Sequence, residues 1–208
     1  MIQQPLLRCN GCGDFRSSAL AQLLLRPSAE MRARVRAFEE AHLGGGCYVG
    51  IHLRSMDNEC PQRTHGLLGC QTVTEQDMGR PVTQRDVCEM SDAYIDAAVR
   101  KARLRHCRVF LADDKMLKSR AAAIVRRYNA SVFVAGAHNN PLTRAFRLHM
   151  DMLLLLRACY FVGNPASTLS GNVARVRALA LGGDGLAASN LVAGKGADEK
   201  CLGVSGSS

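Results

Sequence analysis

Cys47-Tyr48-Val49-Gly50-Ile51-His52-Leu53-Arg54 is the stretch on which the fold turns. It is apolar and β-favouring, it follows the stop Gly44-Gly45-Gly46, and it ends on a charge, so it predicts a buried strand finishing at Arg54. Upstream, Met31, Val35 and Phe38 recur at helical spacing after Pro27-Ser28. Downstream, residues 55 to 90 have little periodicity and many turn formers, which predicts a long loop or small excursion.

Beyond that loop the pattern alternates. A helix capped by Ser91 turns Ile95, Ala98, Val99 and Ala102 to one face. A strand Val109-Phe110-Leu111-Ala112 ends in Asp113-Asp114. A helix over 115–128 buries Leu117, Ala121, Ile124 and Val125 or Tyr128. A third strand is expected at Ser131-Val132-Phe133-Val134-Ala135. A helix from Thr143 to about Ala158 carries Phe146, Met150, Leu153 and Leu154 inward, and a fourth strand follows at Tyr160-Phe161-Val162-Gly163. The last helix starts near Ser167 or Thr168 and runs to about Leu179. Strands alternating with helices of this length imply βαβ units, hence an α/β fold with a Rossmann-like parallel sheet flanked by helices. Residues 1–28 read as an irregular segment and 29–181 as the ordered domain. Residues 182–208, rich in Gly, Ala and Ser, read as a flexible tail.

Composition bounds the function. The 208 residues, 47% hydrophobic and 22% charged, suit one domain with an ample core. The apolar run Leu153 to Leu156 is far short of the roughly 20 residues that span a bilayer. The start Met1-Ile2-Gln3-Gln4-Pro5 lacks the basic and apolar regions of a secretory signal. A net charge of +9, almost all from 22 Arg against 5 Lys, allows nucleic acid, an acidic surface or a phosphorylated ligand as partner. With no Trp, 4 Tyr and 6 Phe, base-stacking platforms are poorly supplied, and no nucleic-acid partner is expected.

Nine cysteines are an odd number. Cys9-Asn10-Gly11-Cys12 has C-x-x-C spacing, but no second pair follows to complete a zinc site, so no metal is expected. Cys60, Cys70 and Cys88 are candidates for a bridge in an oxidising compartment. Cys47, Cys107 and Cys159 adjoin apolar segments and read as small core residues.

In an open parallel sheet, ligands bind beyond the carboxyl ends of the strands. The residues there are His52 and Arg54, then Asp113 and Asp114, then Gly163-Asn164-Pro165-Ala166-Ser167-Thr168-Leu169-Ser170. The last segment is a strand end, a small-residue turn and a helix start. Its unpaired first-turn amides and hydroxyls suit an anion, although a plain cap at Ser167 or Thr168 explains the hydroxyls equally well. Neither a G-K-[ST] loop nor G-x-G-x-x-G is present. Arg54 facing the same crevice would hold a phosphate by its planar fork. Asp151, on the helix before the fourth strand, is either a surface charge or an acceptor for a base or ribose.

Three of these segments, in order, resemble the GDP-fucose protein O-fucosyltransferase family. Tyr48 to Arg54, followed by Asp57, is similar to its H-x-R motif, and Val109 to Asp114 to its strand ending in Ala-x-Asp. Asp151, Phe161-Val162-Gly163-Asn164, Ser167-Thr168-Leu169-Ser170 and Arg175 or Arg177 are similar to its closing motif. The resemblance runs from about Ala29 to Leu179. It implies the C-terminal, donor-binding domain of a two-domain GT-B glycosyltransferase, which makes 29–181 a GDP-fucose-binding domain.

By the same resemblance, Arg54 would grip the β-phosphate and stabilise departing GDP, the catalytic role. His52 would border the pocket, Asp151 would face guanine or ribose, and Ser167, Thr168 and Leu169 would contact phosphate and fucose. The implied reaction is inverting and metal-free, passing fucose to a hydroxyl acceptor on a protein or glycan, foremost Ser or Thr of a protein, with GDP-fucose as donor and no further cofactor. The implied location is the lumen of the secretory pathway; the missing signal leaves the cytoplasm open. The first 28 residues leave no room for the family's N-terminal domain, so a truncated enzyme or a non-catalytic nucleotide-sugar-binding or phosphate-binding module is the alternative.

Overall fold

The computed structural model describes residues 27–54, 71–101, 107–114, 118–134, 141–181 and Ser189. The chain runs α1 (Ala29–Leu43), β1 (Tyr48–Leu53), α2 (Glu75–Met78), α3 (Gln84–Glu89), α4 (Asp92–Lys101), β2 (Arg108–Asp113), α5 (Lys118–Tyr128), α6 (Pro141–Arg157), β3 (Tyr160–Val162) and α7 (Thr168–Leu181). Helix α1 begins where Ser28 Oγ accepts the Met31 amide at 3.1 Å, and it ends at Gly44, whose φ of +74° a side chain would resist. Ser91 caps α4 in the same way, accepting the Tyr94 amide at 3.2 Å.

The three strands are parallel, in the spatial order β2-β1-β3. Every residue of β1 is buried, as a central strand covered on both faces requires. One face packs Val49, Ile51, Leu53, Val109, Leu111 and Val162 against α4 and α5. The other packs Tyr48, Phe110, Ala112 and Phe161 against α1, α6 and α7. A Cβ on Gly50 would sit 3.0 Å from Ala158 Cβ and 3.1 Å from Leu155 Cδ2, so the bare glycine lets the end of α6 lie close on β1. Two isolated parallel bridges extend the sheet, Phe110 with Ser131 beyond β2 and Phe161 with Ser189 beyond β3. Counting them, the order is Ser131, β2, β1, β3, Ser189, which is the 3-2-1-4-5 order of a doubly wound sheet.

Four expectations need amendment. The expected third strand is a single bridge at Ser131, because the segment lies at the edge and Val134 is 80% exposed. The expected loop at 55–90 contains α2 and α3, each opened by a capping box (Thr74 with Asp77, Thr83 with Asp86), while 55–70 lie outside the described residues. Cys47 and Cys159 are exposed rather than core residues and are joined to each other, with Cα atoms 5.5 Å apart. Cys107 is a free thiol packed against the core, as expected, and Cys88 is disulfide-bonded.

Ser189 falls within the segment read as a tail, yet it is buried and bridged to Phe161. Residues 1–26, Cys60, Cys70 and the rest of the tail lie outside the described residues. Among the described residues, no helix is long and apolar enough to cross a membrane.

Candidate functional site

The strand order dictates where a crevice opens. From β1 the chain moves to β2 on one side; β3 lies on the other, so the connections diverge beyond the carboxyl ends of β1 and β3. His52 and Arg54 stand at the end of β1, and Gly163 to Ser170 link β3 to α7. The two segments meet directly: His52 Nδ1 lies 2.7 Å from Ser170 Oγ, both side chains buried.

Asn164 organises the turn. It is fully buried and uses four polar groups. Its amide donates to Ser170 Oγ at 3.0 Å, and its Nδ2 donates to the Cys88 carbonyl at 2.7 Å. Its Oδ1 accepts the Ala166 amide at 2.8 Å, and its carbonyl accepts the Ser167 amide at 3.0 Å. The Asn-Pro pair thus forms an Asx turn that stops β3 and starts α7. Gly163 is required beside it, since a Cβ there would fall 2.6 Å from the Phe161 ring and 3.0 Å from Ser170 Cβ. Ser167 is buried, Leu169 half-buried and Thr168 exposed at the first position of α7.

The Cys88 carbonyl is itself anchored. Asp86, two residues earlier on α3, accepts both terminal nitrogens of Arg80 (2.7 and 2.6 Å), Ser91 Oγ (2.6 Å) and Thr83 Oγ1 (2.7 Å). Arg80 and these hydroxyls hold its carboxyl well below the usual carboxylate range. The excursion after β1 therefore braces the turn from a second side.

The charges at this end are paired. Arg54, half-exposed, donates to Asp114 Oδ2 at 3.2 Å across the end of β2. Arg147, buried on α6, pairs with the partly buried Asp113 and lies 3.5 Å from the buried Asp151, so Asp151 belongs to an Asp113–Arg147–Asp151 triad. Burial pushes the His52 imidazole down to about 4, with Asp114 opposing the shift and Arg54 adding to it, so the ring is neutral at physiological pH.

Arg177 lies elsewhere. Its guanidinium donates to the carbonyls of Leu155, Leu156, Ala158 and Cys159, closing the end of α6 at the amino side of the sheet. A separate concavity between α4 and α5, bordered by Asp92, Ile95, Ile124 and Arg126, contains none of the expected site residues.

The structure thus brings His52 into contact with the opening of α7, places Arg54 on the adjoining strand end paired with Asp114, and puts Asp151 in the triad beside β2. Asn164 and Ser170 are the residues that the reading of the sequence did not single out for a role. The signal for them was the Asn-Pro turn, with a hydroxyl six residues after the Asn.

No family model and no curated protein matches the chain. Solved structures do. POFUT1, a GDP-fucose protein O-fucosyltransferase, in its complex with GDP, superposes with a TM-score of 0.52 at 23% identity over 78% of this chain and 48% of that one. POFUT1 in complex with GDP-fucose gives a TM-score of 0.53 at 23% identity, over 78% of this chain and 46% of that one. The chain spans about half the length of the solved structures it matches. Its Rossmann-like parallel sheet flanked by helices is therefore the expected fold, shared with part of a fucosyltransferase from the family that the sequence motifs resemble.

Proposed function

We propose that the chain is the donor-binding part of a fucosyltransferase that uses GDP-fucose. The observation that carries this reading is the meeting of the end of β1 with the opening of α7 at the switch point, through the 2.7 Å contact of His52 and Ser170. In this reading the half-exposed Arg54 exchanges its carboxylate partner Asp114 for the β-phosphate of the donor. The first-turn amides of Thr168 and Leu169, which have no acceptor within the helix, take further phosphate oxygens with Ser167 beside them. Asp151, held by Arg147, stands toward guanine or ribose.

Transfer breaks the bond between fucose C1 and the diphosphate oxygen and forms one to an acceptor hydroxyl, whose proton is released. The electron pair leaves with GDP, and a guanidinium and helix amides stabilise that charge without a metal. The acceptor is a hydroxyl of a protein or glycan, attacked with inversion. The exposed Cys47–Cys159 bridge and the disulfide-bonded Cys88 favour an oxidising compartment such as the secretory lumen.

Calorimetry and thermal unfolding with GDP and GDP-fucose, with and without EDTA, test the reading. Micromolar binding that survives EDTA and raises the melting temperature is expected, with most of it lost in Arg54→Ala. An unchanged melting curve with either ligand overturns it. Because the chain spans about half of the structures it matches, a second reading is a binding module that holds the nucleotide sugar without transferring it. Binding with no GDP release in the presence of hydroxyl acceptors distinguishes that case.

A further inference from the structure

The polar contacts behind the crevice fix more than its shape. Ser170 Oγ has one proton and two lone pairs. The Asn164 amide occupies one lone pair at 3.0 Å, and His52 Nδ1 lies 2.7 Å away. Among the described residues, no other group is bonded to this hydroxyl. If Nδ1 carried the imidazole proton, the hydroxyl hydrogen would have no acceptor in a buried site, which is costly. If the hydroxyl donates to Nδ1, every group is satisfied. We infer that Ser170 is a positioning residue that holds His52 in its neutral Nε2–H tautomer, so that the ring offers the crevice a hydrogen-bond donor and not a base.

The backbone enforces this choice. Asn164 is locked by the Cys88 carbonyl and by its own Asx turn, so its amide cannot turn away from Ser170. The charged groups facing the ring are Arg54, which disfavours a second proton, and Asp114, which favours one. The inference deepens the proposed donor site and depends on that reading only for which ligand meets Nε2: an uncharged N–H donor suits the oxygens of a nucleoside diphosphate sugar.

The test is a side-chain nitrogen–proton correlation spectrum of the isotopically labelled 208-residue chain, with the His52 signals assigned by their loss in His52→Asn. The wild type is expected to show Nδ1 unprotonated and Nε2 protonated at neutral pH and still at about pH 6, below the 6.5 of an ordinary histidine. Ser170→Ala should give a tautomer mixture, and Ser170→Thr should restore the single form. A protonated Nδ1 or a charged ring in the wild type at about pH 6 overturns the inference, whether or not the Ser170 variants fold. So does a Ser170→Ala spectrum identical to that of the wild type.

GDP titration gives an independent arm, with Ser170→Ala expected to weaken binding about tenfold, the worth of one neutral hydrogen bond. Wild-type protein that shows the Nε2–H form but ignores GDP would remove the proposed function and leave the inference standing.

Discussion

The two ends of the same parallel sheet handle polar groups differently. At the amino end, among the described residues, Glu39, Tyr48 and Arg177 are buried in one another's neighbourhood and paired. Glu39, buried on α1, accepts Arg157 Nε at 2.8 Å and the Tyr48 hydroxyl at 3.0 Å; that hydroxyl also reaches the Leu154 carbonyl at 2.7 Å. Burial and the Glu39 carboxylate push the Tyr48 phenol far above its usual value, so it stays a donor. Arg177 is spent on four carbonyls, and the Cys47–Cys159 bridge ties the starts of β1 and β3. At the carboxyl end Arg54 is half-exposed and, among the described residues, paired with Asp114, and Thr168 is exposed. Arg177 at the amino end and Arg147 at the carboxyl end are both buried and paired, whereas Arg54 is half-exposed.

The largest effect should come from opening the closed end. Arg177→Ala removes the donors to the carbonyls of Leu155, Leu156, Ala158 and Cys159 at the end of α6, and each buried acceptor left bare costs about 1–3 kcal/mol. A loss of at least about 3 kcal/mol in urea unfolding is expected, a large fraction of the roughly 5–15 kcal/mol that stabilises a folded domain. Arg177→Lys should recover only part, because an ammonium lacks the planar fork that reaches several carbonyls. A loss under about 1 kcal/mol would break the contrast between the two ends.

Removing the covalent tie comes next. Cys47→Ala/Cys159→Ala opens a loop spanning 112 residues and should cost about 2–4 kcal/mol, read as a lower melting temperature. Affinity for GDP should be unchanged, since the bridge lies at the far ends of β1 and β3. Weakened GDP binding in this variant would show that the ends are coupled through the strands.

This contrast was only partly legible in the sequence. The parallel α/β class followed from local signals: β1 is a continuous apolar run, Ser28 and Ser91 cap helices, and Gly44 stops one. The Val132-Phe133-Val134 run looks like β1 but sits at the sheet edge, and edge position is a tertiary property. Helices α2 and α3 have 4 and 6 residues, too few for a 3.6-residue period to register, and only their Thr-x-x-Asp capping boxes announced them.

The polar partners were harder still. Cys47 pairs with Cys159 only because β1 and β3 are neighbours, a fact no spacing contains. His52 and Ser170 are 118 residues apart, and Asn164 reaches back 76 residues to Cys88. The motifs marked the ends of β1 and β3, which the fold brings together, whereas the pairings that brace them required the folded chain.

The pH dependence sharpens the comparison at the open end. The folded value of His52, about 4, lies below its ordinary 6.5, so the unfolded chain takes up the proton first. Stability from this residue is complete above about 6.5 and is lost as the pH falls toward 4. Asp86 contributes elsewhere: its folded value lies below the ordinary 3.8, so its share disappears only in stronger acid. Urea midpoints measured across the upper window should fall in the wild type and flatten in His52→Gln. A wild-type midpoint that stays constant there would mean that the ring is accessible to protons in the folded state.

The smallest effect on stability should come from the residue with the largest proposed effect on ligand. Arg54→Ala deletes a pair whose guanidinium is 50% exposed, at 3.2 Å from Asp114, and exposed pairs contribute about 0–1 kcal/mol. Its urea midpoint should therefore stay near that of the wild type while GDP binding collapses, the reverse of the Cys47→Ala/Cys159→Ala pattern. Arg54→Lys separates charge from shape: it keeps the cation but not the bidentate fork, and should bind GDP between the wild type and Arg54→Ala. If Arg54→Ala unfolded the protein as readily as Arg177→Ala does, its guanidinium would be one more closure of the fold, and the carboxyl end would not be an open site.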